Sequence, residues 1–409
     1  MLVRKTIQRG LNFLARQERA FRVNLLRVSV QNFFTSLTQQ YQSIFIIGLG
    51  ATPFQLGILN SAGGLAGAAM AAPTGWLADR RGIRAVMLLG MFPMILGALL
   101  FALALDWTIA IPAMVVATLA LRVEMTACPM VCGSCLKSEE RVVGMQFCDT
   151  LSAVPRLISP IIGAVIVTSF GGMSVEGIRP LYYVQVAGFL FVLLIVLRMF
   201  VSPKRVGDPP ASSFAGGVRE VFEQGSVVKR WIVYMCLSTV PMFVNPTYIP
   251  LYAAEVKTAD QFVLGGMAVA SMIVPLILSL PAGHWADRVG RKKVIYVTTL
   301  LHCFSLLLLI LSPDTTTLLA SAVLQGFFML GAVTQGAMSA EMVPVSLLGR
   351  WYGLLGLFRG LASVAAPAIG GLIWDSIGPA HVFVFLIVTE LVKMLLLTGV
   401  PETLKIRKV

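Results

Sequence analysis

Seven charged side chains lie deep inside long apolar runs of this sequence: Arg122, Glu124, Asp149, Arg156, Arg359, Glu390 and Lys393. On insertion scales a charged residue at the centre of a bilayer costs about 2.5–3.5 kcal/mol. Such residues must therefore pair or face a watery cavity, and by default they are functional candidates. Asp149 and Arg156 are seven residues apart, two turns along one helical face and too distant for an ideal direct pair. Each needs a partner across the cavity, and Arg122 is the expected one for Asp149. Arg359 falls near the repeat-equivalent position of Asp149. Glu390 and Lys393, at i and i+3, can satisfy each other. Arg27 is one turn inside its run and is expected to snorkel to the surface. Arg122, Arg156 and Arg359 then outnumber Glu124 and Asp149, a surplus that favours an anion. The competing reading is that the arginines are neutralised locally and brace a helix bundle.

Uncharged polar groups cluster in three of the same runs. The first carries Gln31, Asn32, Thr35, Ser36, Gln39, Gln40 and Gln42, the seventh Asn245, Pro246, Thr247 and Tyr248, and the tenth Gln325, Thr334 and Gln335. Buried amides can simply bridge helices, but so many on three runs read as contacts for a small molecule, with Gln39, Gln40, Asn245, Tyr248, Gln325 and Gln335 foremost. Pro246 and Pro250 would bend the seventh run and free carbonyls that need a cavity or water. Cys128, Cys132 and Cys135 fall at i, i+4 and i+7 with Glu124 one turn earlier. That stripe could pass a soft metal ion, but small buried cysteines are common, and no metal site is assigned. His302 reads as a packed core residue in preference to a proton relay. A membrane enzyme would need a Ser/His/Asp, metal or phosphate constellation, and no cofactor motif or P-loop occurs.

The elements that must position these residues follow from hydropathy. Of 409 residues, 57% are hydrophobic and 12% charged, with mean hydropathy +0.84, far from the roughly 25% charged of soluble domains. Apolar runs of about 20 residues occur near 24–48, 54–76, 85–105, 108–135, 142–169, 180–200, 231–253, 262–285, 294–312, 316–341, 351–375 and 380–400. The predicted fold class is an all-α integral membrane protein of twelve spans. Of the 32 Lys and Arg, 25 lie on one side of these spans, Arg179 and Lys257 on the other, and five inside. Lys and Arg collect in cytoplasmic loops, which predicts both termini in the cytoplasm of an inner or plasma membrane. The net charge of +13 is then a topology signal and no nucleic-acid footprint. Residues 1–22 show no cleavable signal pattern; Ile7, Leu11 and Leu14 share a helical face among arginines, which fits a basic segment on the cytoplasmic leaflet as well as a disordered tail.

The halves repeat. Gly75, Asp79, Arg80, Gly82 and Arg84 after the second run are echoed by Gly283, Asp287, Arg288, Gly290, Arg291 and Lys292 after the eighth. A second echo pairs the segment from Arg141 to Gly163 with that from Arg350 to Gly370. The expected organisation is a basic segment 1–22, a six-helix bundle 23–201, a Pro/Gly/Ser-rich cytoplasmic linker 202–229, a second six-helix bundle 230–401 and a tail 402–409. These are parallel repeats about an axis along the membrane normal. Loops this short leave no room for a nucleotide-binding domain. Gly63, Gly64 and Gly67 read as points of close helix packing.

At these loops the sequence resembles the major facilitator superfamily, whose hallmark after the second helix is matched by Gly75, Leu77, Asp79, Arg80, Gly82 and Arg84 and again by the second copy. Pro401-Glu402-Thr403 and Arg122 also fit. The resemblance implies a secondary transporter working by alternating access around a cavity lined mainly by helices 1, 4, 7 and 10, with the two loops as gating latches. In that reading the loop Asp offers its carboxylate to neighbouring helix N-termini when the cytoplasmic ends meet. The expected partners are a small organic solute, with a lean towards anions, and a coupling ion, proton or sodium. The chain is expected to act as a monomer in the bilayer, without cofactor. The alternatives are a proton-coupled multidrug or cation exporter, and a receptor or sensor of this fold that moves no solute. Against the exporter, the first helix lacks the acid many carry, and Ser159 to Ala164 keeps only part of their glycine pattern.

Overall fold

A computed structural model describes residues 16–81, 83–135, 141–200, 225–343 and 347–403, with side chains described outside 68, 70–81, 125–130, 132–134, 141–147, 149, 280 and 348–350. The basic N-terminal residues through 15, the linker from 201 to 224 and the tail from 404 lie outside the described residues.

Thirteen α-helices are described: α1 Arg19–Gln39, α2 Gln42–Gly48, α3 Pro53–Arg81, α4 Ile83–Leu103, α5 Trp107–Cys135, α6 Arg141–Ser169, α7 Val175–Met199, α8 Ser226–Glu255, α9 Gln261–Val289, α10 Arg291–Leu311, α11 Thr315–Glu341, α12 Leu348–Ser376 and α13 Pro379–Thr398. Every backbone polar group inside hydrocarbon must be bonded within its own segment, and a helix achieves that. Ten of these helices are long and apolar enough to cross a membrane. α1 and α2 together make the first predicted span. They part at Gln40–Tyr41, where Tyr41 N bonds Thr38 O and tightens the turn, while the two side chains reach Pro160 O and Gln261 O.

Within the first half α1 packs on α6 and α7, and α5 on α3 and α4; in the second, α8 packs on α12 and α13, and α11 on α9 and α10. The halves meet along two seams, α3 against α12 and α6 against α9. Glycine sets the closeness of the first seam: a Cβ at Gly57 would lie 2.4 Å from Pro367 O. Gly63 abuts Thr118, Gly64 the Ser363 carbonyl and Gly67 the stem of Arg122, so the glycine cluster does serve close packing.

The two ends of the molecule differ. At the end away from the termini, Tyr41 Oη donates to Gln261 O, Gln261 Nε2 to Thr168 Oγ1, Tyr248 Oη to Pro53 O and Phe54 N to Asp375 Oδ2, all between halves. At the termini end, among the described residues, no hydrogen bond or ion pair joins one half to the other. Among the described residues, the hydrogen bonds that tie one half to the other all lie at this one end.

Candidate functional site

Between the halves lies a cavity of about 570 Å³. Ser36 and Gln39 come from α1, Gln40 from the turn after it, Thr150, Arg156 and Pro160 from α6, Asn245, Pro246 and Pro250 from α8, Ser271 and Met272 from α9, and Gln325 and Phe328 from α11. A smaller space of about 80 Å³, sharing Gln39 and Pro246 with the first, leads towards the sealed end. The prolines of α8 thus face a cavity, as their freed carbonyls require.

The helices that form the wall depart from expectation. Helices 1, 7 and 10 contribute, joined by the fifth and eighth (α6 and α9); of the fourth span, α5, no described residue lines this cavity, while its Met114 lines the smaller space. The described hydrogen bonds near the α6–α9 seam lie at the end away from the termini, and both helices present residues to the space between the halves.

The wall is mostly apolar, with Met, Pro, Leu and Ile between a few amides. Among the described residues Arg156 is its one charged side chain. Its Nη2 donates to Asn32 Oδ1 at 2.8 Å, and Asn32 in turn donates to Ser152 O. Two cavity residues carry buried polar atoms without a protein partner, Asn245 Oδ1 and Gln325 Nε2. An unmade hydrogen bond of this kind costs about 1–3 kcal/mol, so both atoms offer a ready bond to an occupant.

Five of the sequence candidates, Gln39, Gln40, Arg156, Asn245 and Gln325, therefore come together, and the other candidates with described side chains do not line the cavity. Tyr248 is buried in the α3–α12 seam, donating to Pro53 O and Pro367 O. Gln335 is buried beside α10, near Thr298. Arg359 stands at the rim, its Nε donating to Thr239 Oγ1 and its Nη2 lying 3.6 Å from the sulfur of the cavity residue Met242. Arg122 lies along Gly67. The side chain of Asp149, and with it the expected Arg122 partnership, falls outside the described residues, as do Cys128 and Cys132.

Two expectations about charge are overturned. Arg27 does not snorkel: it is fully buried, ion-paired with Glu124 and hydrogen-bonded to Asn24 Oδ1 and Gln31 Oε1. Glu124 is the counter-charge of Arg27 and does not line the described cavity. An arginine ringed by a carboxylate and two amides has its donors satisfied inside the protein and gains nothing by reaching for the surface. Glu390 and Lys393 do pair, as expected. His302 is more than packing, because its ring links Glu390 Oε1 at 3.2 Å with Asn245 Nδ2 at 3.1 Å. Sequence spacing held no signal for that link, since the three residues come from three different helices.

The paired loops are seen in part. Gly75, Asp79, Arg80 and Gly82 have no described side chains, while Arg84 donates to Leu197 O. In the second copy Gly290 ends α9 at φ +115°, a conformation that favours glycine. Asp287 is 67% exposed and touches only Arg291, at 3.6 Å; Gly283 and Arg288 are exposed too. The carboxylate found at a helix N-terminus is instead Glu402, accepting from Arg291 N and Lys292 N of α10, a favourable place for negative charge. Lys292 Nζ reaches back to Val400 O, and Arg291 pairs with Glu341. Among the described residues Asp287 caps no helix end.

Comparison with known proteins completes the site. The family model described as Major Facilitator Superfamily matches residues 27–273 and 231–408. The chain is 29% identical over 135 residues to the class D tetracycline resistance protein of Salmonella ordonez, 33% of this chain and 34% of that protein. It is 25% identical over 244 residues to the multidrug resistance protein MdtG of Proteus mirabilis, 56% of each. Both matches span less than two thirds of the relative's own length. In structure it resembles the nucleoside transporter NupG, with TM-score 0.75, 12% identity and coverage of 93% of this chain and 99% of the other. It also resembles a D-xylose-proton symporter, with TM-score 0.71, 15% identity and coverage of 94% and 98%. At these identities the solved structures speak for the fold alone.

Proposed function

Given that the chain belongs to the major facilitator superfamily, we propose that it carries a small organic solute across the plasma membrane by alternating access, with both termini cytoplasmic. The chain is a multi-pass membrane transporter and not an enzyme. The observation that carries the finer reading is the cavity between halves, sealed by four inter-half hydrogen bonds at one end and by none, among the described residues, at the other. Such a molecule offers its centre to one side of the membrane at a time. With basic loops cytoplasmic, the unsealed end is the cytoplasmic one. The exposed Asp287 loop then belongs to a latch that engages when this end closes, and its upstream twin at Asp79 acts alike.

The solute is amphiphilic in this reading, because apolar walls are broken by a few amides and one guanidinium. The lean towards anions rests on Arg156 lining the wall, Glu124 having been withdrawn to Arg27. Export is the favoured direction, supported by relatives named for tetracycline and multidrug resistance. A cation exporter is the second reading on the same names. Protein reconstituted in vesicles, offered a panel of organic anions, uridine, xylose, tetracycline and a lipophilic cation under imposed pH or sodium gradients, decides. Gradient-driven accumulation of an organic anion is expected. Accumulation of the cation alone would overturn the lean, and movement of no member under any gradient would favour a sensor of this fold.

A further inference from the structure

The second half holds a buried polar chain that solute transport as described does not use. Lys393 and Glu390 of α13 are each 1% exposed and ion-paired. Glu390 Oε1 meets His302 Nδ1 of α10, and His302 Nε2 meets Asn245 Nδ2 of α8, on the cavity wall. The other titratable groups around it are Cys303 and Tyr296 of α10 and Tyr234 of α8, whose ring lies 5.7 Å from Lys393 Nζ. α11 adds the Phe328 ring against the imidazole, and Arg359 of α12 is engaged with Thr239.

The hydrogen-bond roles follow from chemistry. A carboxylate only accepts, so Nδ1 of His302 carries the hydrogen, and Nε2 accepts from the Asn245 amide. The ring nitrogen that can take a proton is thus Nε2; the ring is fully buried, and Asn245 of the cavity wall stands against that nitrogen. When a proton passes Asn245 and reaches Nε2, two donors oppose each other, Nε2–H and the Asn245 NH2. Turning the amide over resolves this: Oδ1, which has no partner now, accepts from Nε2–H, and the NH2 swings away. Loss of the proton to water reverses both changes.

We propose that His302, seated on the Glu390–Lys393 pair, is a proton-binding site whose occupancy is passed to the solute cavity by reorientation of Asn245. This rests on the transport reading, and makes the proton the coupling ion. Its test needs neither solute nor gradient, so a failed transport assay does not touch it. In detergent-purified, histidine-labelled full chain, NMR should give three imidazole resonances, one for each His. The one missing from His302→Gln is assigned to His302, and should move as the pH is varied. An environment-sensitive fluorophore at Ala268→Cys, on the cavity wall, should change emission with the same midpoint. In His302→Gln the emission should be flat. In Asn245→Ala the imidazole should still titrate while the emission is flat, an uncoupling that misfolding would not produce. A His302 resonance that stays fixed, or an emission profile that survives His302→Gln, overturns the proposal.

Discussion

Arg156→Gln is expected to raise the KM for an organic anion by about ten- to a hundredfold, on the basis that a hydrogen bond to a charged group contributes about 1.5–3 kcal/mol. Arg156 is the charged side chain of the described cavity wall, in surroundings that screen poorly, so its loss falls on the solute's charge. Arg156→Lys should recover part of the affinity, because it restores the charge without the planar fork. The comparison that isolates the effect is a neutral solute from the same panel, whose KM should barely move. Equal losses for charged and neutral solutes would mean that Arg156 braces α6 against Asn32 and does not bind.

Arg27→Ala is expected to be the most damaging single change to folding. It leaves the Glu124 carboxylate buried without its cation, and breaking one partner of a buried pair costs about 3–5 kcal/mol. It also strands Asn24 and Gln31, both bonded to the guanidinium. Folded, monodisperse protein should fall steeply in fluorescence-detected size exclusion after a temperature ramp. Arg27→Met with Glu124→Gln removes both charges and should recover much of the loss. If the single variant melts like wild type, the pair is not where the structure puts it.

What could be read from residues alone divides along physical lines. The twelve spans were legible to within a few residues because hydrocarbon demands long apolar helices; the run near 262–285 is α9, Gln261–Val289. The break at Gln40–Tyr41 was not, since it depends on side chains reaching α6 and α9. Pairing within one helix was legible too, as at Glu390 and Lys393, where three residues' spacing fixes the geometry. Pairing between helices was not: nothing in the first span announces that Arg27 faces Glu124, because polar residues fall all round this helix and leave its rotation unset. The same ambiguity hid the exchange of the fourth span for the fifth and eighth in the wall, and the Asn245–His302–Glu390 line. Composition did point to the amides, and Gln39, Gln40, Asn245 and Gln325 all line the cavity.

The central claim is that the two ends open in turn. Spin labels at Met199 and Val289, exposed where α7 and α9 finish at the termini end, report that end. Labels at Phe170 and Val256 report the sealed one, in a background with the native cysteines replaced. Pulsed electron spin resonance on both pairs is the direct measurement. The account predicts two distances for each pair, in reciprocal proportions, with Asp287→Asn shifting both towards the form unsealed at the termini end. A single unchanging distance at each end, under every solute and pH, would contradict it.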